Sequence, residues 1–205
     1  ACDLSVARHR YRKTIVSSNN GIRNELHFLL MQRNSGHNHK AAIALQINES
    51  GHFIPIRNPQ VSVYFPTQFH ITHSIIVHGS FTTTPNRENI PFSEEWTPEN
   101  YAVLSVISDL MRILLRSLLN KKMITADFWS LFSWNNSSED PVSAVISECL
   151  NKFIAQEKCL PDQSGKLQSV SGLCVSEDEN LIQLITAKDI MNVYGRSGFL
   201  HYDIT

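Results

Sequence analysis

A chain of 205 residues with 42% hydrophobic content is long and apolar enough for one substantial domain, or for a core domain with a smaller attachment. Its 18 Lys and Arg against 19 Asp and Glu leave a net charge near zero, which excludes the basic footprint of a non-specific nucleic-acid binder and leaves no acidic tail. Cys2, Cys149, Cys159 and Cys174 form no C-x-x-C pair, so they suit neither a zinc knuckle nor a small disulfide scaffold; they read as reduced thiols, with Cys149 buried.

Residues 1–23 carry charge and no sustained periodicity, and read as a lead-in or as the tail of something absent. They contain no apolar run of the kind a secretory signal needs, and the expectation is a cytoplasmic protein. From Glu25 the pattern turns strand-like: "LHFLLMQ", the polar turn "RNSGHNHK" and "AAIALQI" predict a β-hairpin. "QVSVYFP" and "HITHSIIVHGSF" predict two more strands, ended by Pro66 and Pro85, because proline cannot donate to a ladder.

After "SEEWTPEN" the apolar period changes from 2 to 3.6. Thr97 as N-cap, Pro98 in the first turn and Glu99 on the dipole predict a helix to about Asn120, with Val103, Ile107, Leu110, Leu114 and Leu118 on one stripe. The same segment is interrupted by Ser105, Ser108, Asp109, Arg112, Arg116 and Ser117, too polar for a membrane span of ~20 residues. A short helix follows at "TADFWSLF", capped by Thr125, and a longer one begins near Asp140 and Pro141. "CLPDQSGKLQSV" predicts a turn with a short strand, and "TAKDIMNVYG" a helix capped by Thr186 and ended near Gly195. Strands first and helices after give an α+β class, a mixed or mostly antiparallel sheet covered by helices. The best boundary is 133–141, dividing an α/β core at 24–134 from a small, mostly helical part at 135–205.

Strand alternation puts His70 and His78 on one face and His73 on the other, so the three do not converge on a metal, and His37 and His39 read as a solvated turn. A covalent nucleophile would need a base and an orienter, and the chain has no G-x-S-x-G elbow. Neither G-x-x-x-x-G-K-[ST] nor G-x-G-x-x-G is present, so the chain does not cradle a nucleotide in any common way. That leaves Arg87, set among threonines and asparagines just beyond the "SIIV" strand. Two readings are open for it: an ion pair with Glu88 or Glu94 on a solvated loop, or a guanidinium aimed at an anion held by another domain.

The order "VYFPT", "IIVHGSFTTTPNRENI", a long helix, "KKMITADFWSLF" and "CLPDQSGK" resembles the region that follows the ATP-binding domain in sacsin-like and other chaperone-type members of the GHKL ATPase superfamily. The likeness runs from Glu25 to the C-terminus; its most specific parts are 65–67 and 81–89, and Leu160–Pro161 through Gly165 is similar to that family's L-P-x-x-x-G turn. Asn86-Arg87-Glu88 is also similar to the Ser-Arg-Glu step in the middle domain of the ninety-kilodalton heat-shock chaperones, although Pro91 stands where those have a glutamine. The resemblance implies a ribosomal-protein-S5-domain-2-like transducer domain. It implies Arg87 as the catalytic residue, with Asn86 beside it, both toward the γ-phosphate of ATP. ATP and magnesium would be held by a preceding ATP-binding domain, the implied partner, since the acidic-Asn helix and Asp-x-Gly box of such a domain are absent here. No activity is expected of this chain alone. The rival expectation is a non-catalytic interaction module that docks a partner or client protein through the helical part, with Trp129 and Trp134 at its boundary.

Overall fold

The computed structural model describes residues 8–19, 22–34, 39–93, 95, 97–134, 140–176 and 178–201, with side chains described from Leu26 onward except at 179, 181 and 183. The histidine at 37, the glutamate at 94 and most of the expected boundary at 133–141 lie outside them. The class is α+β with a mixed sheet. Among the described residues no helix is long and apolar enough to cross a membrane.

The chain divides into two compact units, one of residues 1–114 and 131–147, the other of residues 115–130 and 148–205. The first holds a six-stranded sheet made of β1 (Arg8–Asn19), β2 (Ile22–Asn34), β3 (Lys40–Ile47), β4 (Gln60–Ser62), β5 (Pro66–His70) and β6 (Ile76–Gly79). Their spatial order is β1-β2-β3-β6-β4-β5. All neighbours are antiparallel except β4 and β6, which run parallel. The twofold alternation read in "LHFLLMQ" and "AAIALQI" sets the register. Met31 faces Ile43, Ile43 faces Val77 and Val77 faces Val61, so one buried apolar row crosses four strands.

Three elements differ from expectation. Residues 8–19 are a strand paired along β2, although their charged, aperiodic sequence gives no apolar face to read. Pro66 opens β5 instead of closing a strand; it stands at the first position of an edge strand, where a missing N–H breaks no ladder bond. The run from His70 to Phe81 is not one strand, because β5 ends at His70 and β6 starts at Ile76. The alternation that separated His73 from its neighbours therefore does not apply.

Helix α1 (Pro98–Asn120) begins and ends where its sequence signals place it, and all five stripe residues are buried. The Thr97 hydroxyl accepts the Ser93 N–H at 2.9 Å and donates to the Pro91 carbonyl at 3.0 Å. The helix lies against the sheet. A Cβ on Gly79 would stand 2.8 Å from Val103 Cγ1 and 2.6 Å from the Phe81 ring, so only glycine lets β6 approach so closely. An ion pair of 2.8 Å joins Arg33 on β2 to Asp109 on the helix.

In the second unit, α2 (Ala126–Trp129) puts Trp129 at 0% exposure, its Nε1 donating to the Cys159 carbonyl at 2.9 Å. Trp129 thus completes a core, the commoner of the two places for an aromatic residue at such a boundary. Burial and the nearby Glu157 carboxylate push the Cys159 thiol up to about 12, so it stays protonated and unreactive. Here β7 (Leu160–Pro161) pairs with β8 (Leu167–Gln168) around a turn in which Asp162 Oδ1 accepts the Ser164 and Lys166 N–H groups. The sequence signals at the C-terminal end are met: α4 (Glu179–Leu184) precedes α5 (Ala187–Tyr194), whose capping box joins Thr186 and Asp189 and whose end is Gly195 at φ 65°. Two further short strands, β9 (Leu173–Cys174) and β10 (Gly198–Phe199), pair in parallel.

Helix α3 (Pro141–Gln156), whose first seven residues belong to the first unit, starts with Asp140 Oδ1 accepting the Ser143 N–H at 2.6 Å. Just inside that start, the fully buried His73 ring accepts the Ser133 N–H on Nδ1 at 3.3 Å, which places its proton on Nε2, 3.2 Å from the Ser143 carbonyl and 3.1 Å from Ser147 Oγ. Burial lowers its pKa below the ordinary 6.5, more than the Ser143 bond and Asp140 raise it. The unfolded chain therefore binds a proton that the folded one resists, so the stabilisation is complete above pH 6.5 and is lost as pH falls toward the folded value. Half-buried His78, also lowered, acts in the same direction. Urea midpoints should fall between pH 7.5 and pH 5.5, and His73→Gln should flatten that decline; an unchanged slope in the variant would show that His73 is not its source.

Candidate functional site

The site is built on the segment between β6 and α1. Thr84 and Asn89 close its tip: the Thr84 N–H donates to the Asn89 carbonyl at 3.0 Å and the Asn89 N–H to Thr84 Oγ1 at 3.2 Å. Inside that closure the Arg87 N–H donates to the Thr84 carbonyl at 2.8 Å, the bond of a β-turn with Pro85 at its second position. Arg87 then adopts φ 61°, the left-handed region, which costs a non-glycine residue on the order of 1 kcal/mol. Asn86 holds this shape. Its Oδ1 accepts the Thr84 hydroxyl at 2.6 Å, and its Nδ2 donates to the Glu88 carboxylate at 2.7 Å.

Two anchors fix the loop to the sheet and the helix. The Gln68 N–H of β5 donates to the Glu88 carbonyl at 2.7 Å, covering part of the open edge of the sheet. Asn100, in the first turn of α1 and 0% exposed, holds both ends of the loop. Its Oδ1 accepts the Thr82 N–H at 2.7 Å, while its Nδ2 donates to the Thr82 carbonyl at 2.9 Å and to the Pro91 carbonyl at 2.8 Å. Beneath, the Phe92 ring packs against Phe69, Phe81 and Tyr101 at centroid distances of 5.8, 6.0 and 6.0 Å.

An open cavity of about 720 Å³ lies between this loop and the turn joining β4 to β5. Arg87, Asn86 and Glu88 line it on one side with Thr82 and Thr83 behind them, and Tyr64 and Phe65 line it on the other. The Arg87 side chain is exposed, and among the described residues no carboxylate pairs with it; the Glu88 carboxylate takes Asn86 instead. Of its two sequence-derived partners, Glu88 is thus engaged elsewhere, and the other lies outside the described residues. Asn86 lines the cavity together with Arg87, but both ends of its amide brace the loop.

Such an arrangement suits anion binding: a permanently charged, bidentate donor is held on a stiffened loop beside two threonines. The described residues gather no three His, Cys, Asp or Glu that could hold a metal ion. Nothing in the cavity provides the glycine-rich cradle of a whole nucleotide, so its chemistry fits contact with a terminal phosphate or carboxylate.

Sequence reasoning singled out Arg87, which lines the cavity, and passed over Asn100, Tyr64 and Phe65 as parts of this arrangement. Asn100 had a signal: it falls on the same stripe as Val103 and Ile107, and a polar residue on a buried stripe must find hydrogen-bond partners. Tyr64 and Phe65 read as strand residues because aromatic residues favour strands. The chain matches no known protein family, no curated protein and no solved structure.

Asn100→Ala removes three hydrogen bonds and leaves the Thr82 N–H and carbonyl without their amide partner, and should cost about 1–3 kcal/mol in urea unfolding. Asn100→Asp should cost more, because a carboxylate would face two carbonyl oxygens. An unchanged midpoint in both variants would show that the clamp does not hold the loop.

Proposed function

We propose that this chain is the middle, or transducer, domain of a chaperone-like GHKL ATPase, ribosomal-protein-S5-domain-2-like in its finer fold, and that it supplies Arg87 to the γ-phosphate of ATP bound by a preceding domain. The observation that carries this reading is the presentation of Arg87: exposed, without a protein carboxylate among the described residues, and held at a positive φ on a doubly anchored loop. Left-handed backbone at an arginine costs stability, and such local strain persists where surrounding bonds over-determine it, a pattern common at functional sites. The resemblance at 65–67 and 81–89 supplies the identity of the anion.

The role is electrostatic completion of a site when two domains close. Guanidinium hydrogen bonds strengthen as charge develops on the transferring phosphoryl oxygens, so they stabilise the transition state more than bound ATP. ATP and magnesium would be held by the preceding domain, and Arg87 adds the last positive charge.

In the full polypeptide, Arg87→Ala should lower kcat about 10²-fold or more with little change in ATP affinity. Arg87→Lys should recover little of it, since an ammonium lacks the planar fork. Arg87→Gly should lose turnover while leaving the melting temperature unchanged or higher, because glycine adopts φ 61° freely. Turnover equal to the parent protein in all three variants would remove Arg87 from catalysis.

A further inference from the structure

Across the cavity from Arg87 stands a feature that needs its own explanation. The turn joining β4 to β5 exposes Tyr64 to 87% and Phe65 to 72%, two large apolar rings side by side at the tip of a hairpin. This tip is braced rather than loose. The Val63 N–H donates to the Phe65 carbonyl at 3.1 Å, and the buried Thr67 hydroxyl donates to the Val61 carbonyl at 2.7 Å while accepting the Phe69 N–H at 3.1 Å. The Tyr64 ring meets His78 on β6 edge-on, with centroids 6.5 Å apart.

We propose that Tyr64 and Phe65 are positioning residues: an apolar docking tip that seats the anion-bearing protein surface against Arg87 and excludes water from the contact. The proposal rests on the functional reading above and goes further by naming the contact that brings the domains together. The shared cavity, the charge that Arg87 demands of its partner and the stiffness of both flanks commit it to one occupant, the face of the ATP-binding domain that surrounds the γ-phosphate. The rings and the Arg87 cation line one cavity, so whatever covers the rings is held over Arg87 as well. Charge complementarity requires that surface to be anionic where it meets Arg87 and apolar where it meets the tip. Both flanks of the cavity are tied down by backbone hydrogen bonds, so little ordering entropy opposes docking, and rigid aromatic residues beside an arginine are the composition of binding hot spots.

Water exclusion is the mechanistic gain. An arginine to phosphate contact open to bulk solvent is weakened by its dielectric and by salt, whereas an apolar collar lowers the local dielectric and strengthens it.

The test uses the full polypeptide with a non-hydrolysable ATP analogue, reading amide hydrogen exchange over residues 63–68 and 82–89 together with steady-state turnover. The analogue should slow exchange in both segments. The Tyr64→Ser, Phe65→Ser double variant should abolish that slowing and lower kcat about 10-fold with KM for ATP little changed, and should leave the melting temperature unaltered because both rings are exposed. Tyr64→Phe with Phe65→Tyr should restore turnover, which a merely structural role would not require. If the serine variant turns over like the parent, or the analogue leaves exchange at 63–68 unchanged, the docking tip is wrong. Slowing that follows an added unfolded protein, and not the nucleotide, would also overturn it in favour of a client surface. The two proposals separate cleanly: if Arg87→Ala leaves turnover intact while the serine variant still abolishes protection, the arginine role fails and the docking tip stands.

Discussion

One buried amide organises the loop that carries Arg87. Asn100 uses its oxygen and both of its donated bonds on Thr82 and Pro91, the two places where the loop leaves the sheet and returns to the helix. Both ends of the loop take their position from the helix through this side chain, and the helix takes its own from the sheet, through Val103 over Gly79 and Asp109 on Arg33. Position therefore passes from the core to Arg87 through a short chain of contacts. Asn86 takes the neighbouring Glu88 carboxylate, and among the described residues no carboxylate pairs with the guanidinium.

The same economy appears in the sheet. β5 is an edge strand, and an open edge invites another chain to pair with it. Pro66 removes one donor from that strand and the Glu88 carbonyl occupies the Gln68 N–H, so one loop both presents the arginine and shields part of the edge. Tyr64 and Phe65, by contrast, are left uncovered on the tip beside it, which is why that tip and not the strand reads as a contact surface.

Much of the architecture was legible because the physics that shapes it is local. The α1 stripe, its start at Pro98, the alternation of β2 and β3 and the Thr186 to Gly195 helix with its box and glycine each follow from spacing and capping within a few residues. What stayed hidden depends on pairing across the chain. Residues 8–19 have no apolar face and become a strand only because β2 offers them a partner, and the break between His70 and Ile76 removes an alternation that the letters suggested. At the site, Arg87 stood out as a lone cation among small polar residues. Its freedom from Glu88 could not be read, because it depends on the side-chain bonds of Asn86 within a folded loop. Trp129, for which a contact surface and a core position were both open in sequence, is buried with its indole N–H on the Cys159 carbonyl.

The central claim is that the Asn100 clamp is what aims Arg87. A double-mutant cycle on ATP turnover in the full polypeptide tests it, comparing Asn100→Ala, Arg87→Ala and the pair at a temperature where all four proteins are folded. If the clamp acts through the arginine, Asn100→Ala slows turnover in the parent and adds nothing once Arg87 is alanine. Two losses that simply add would show that the loop and its arginine work independently, and would contradict the account.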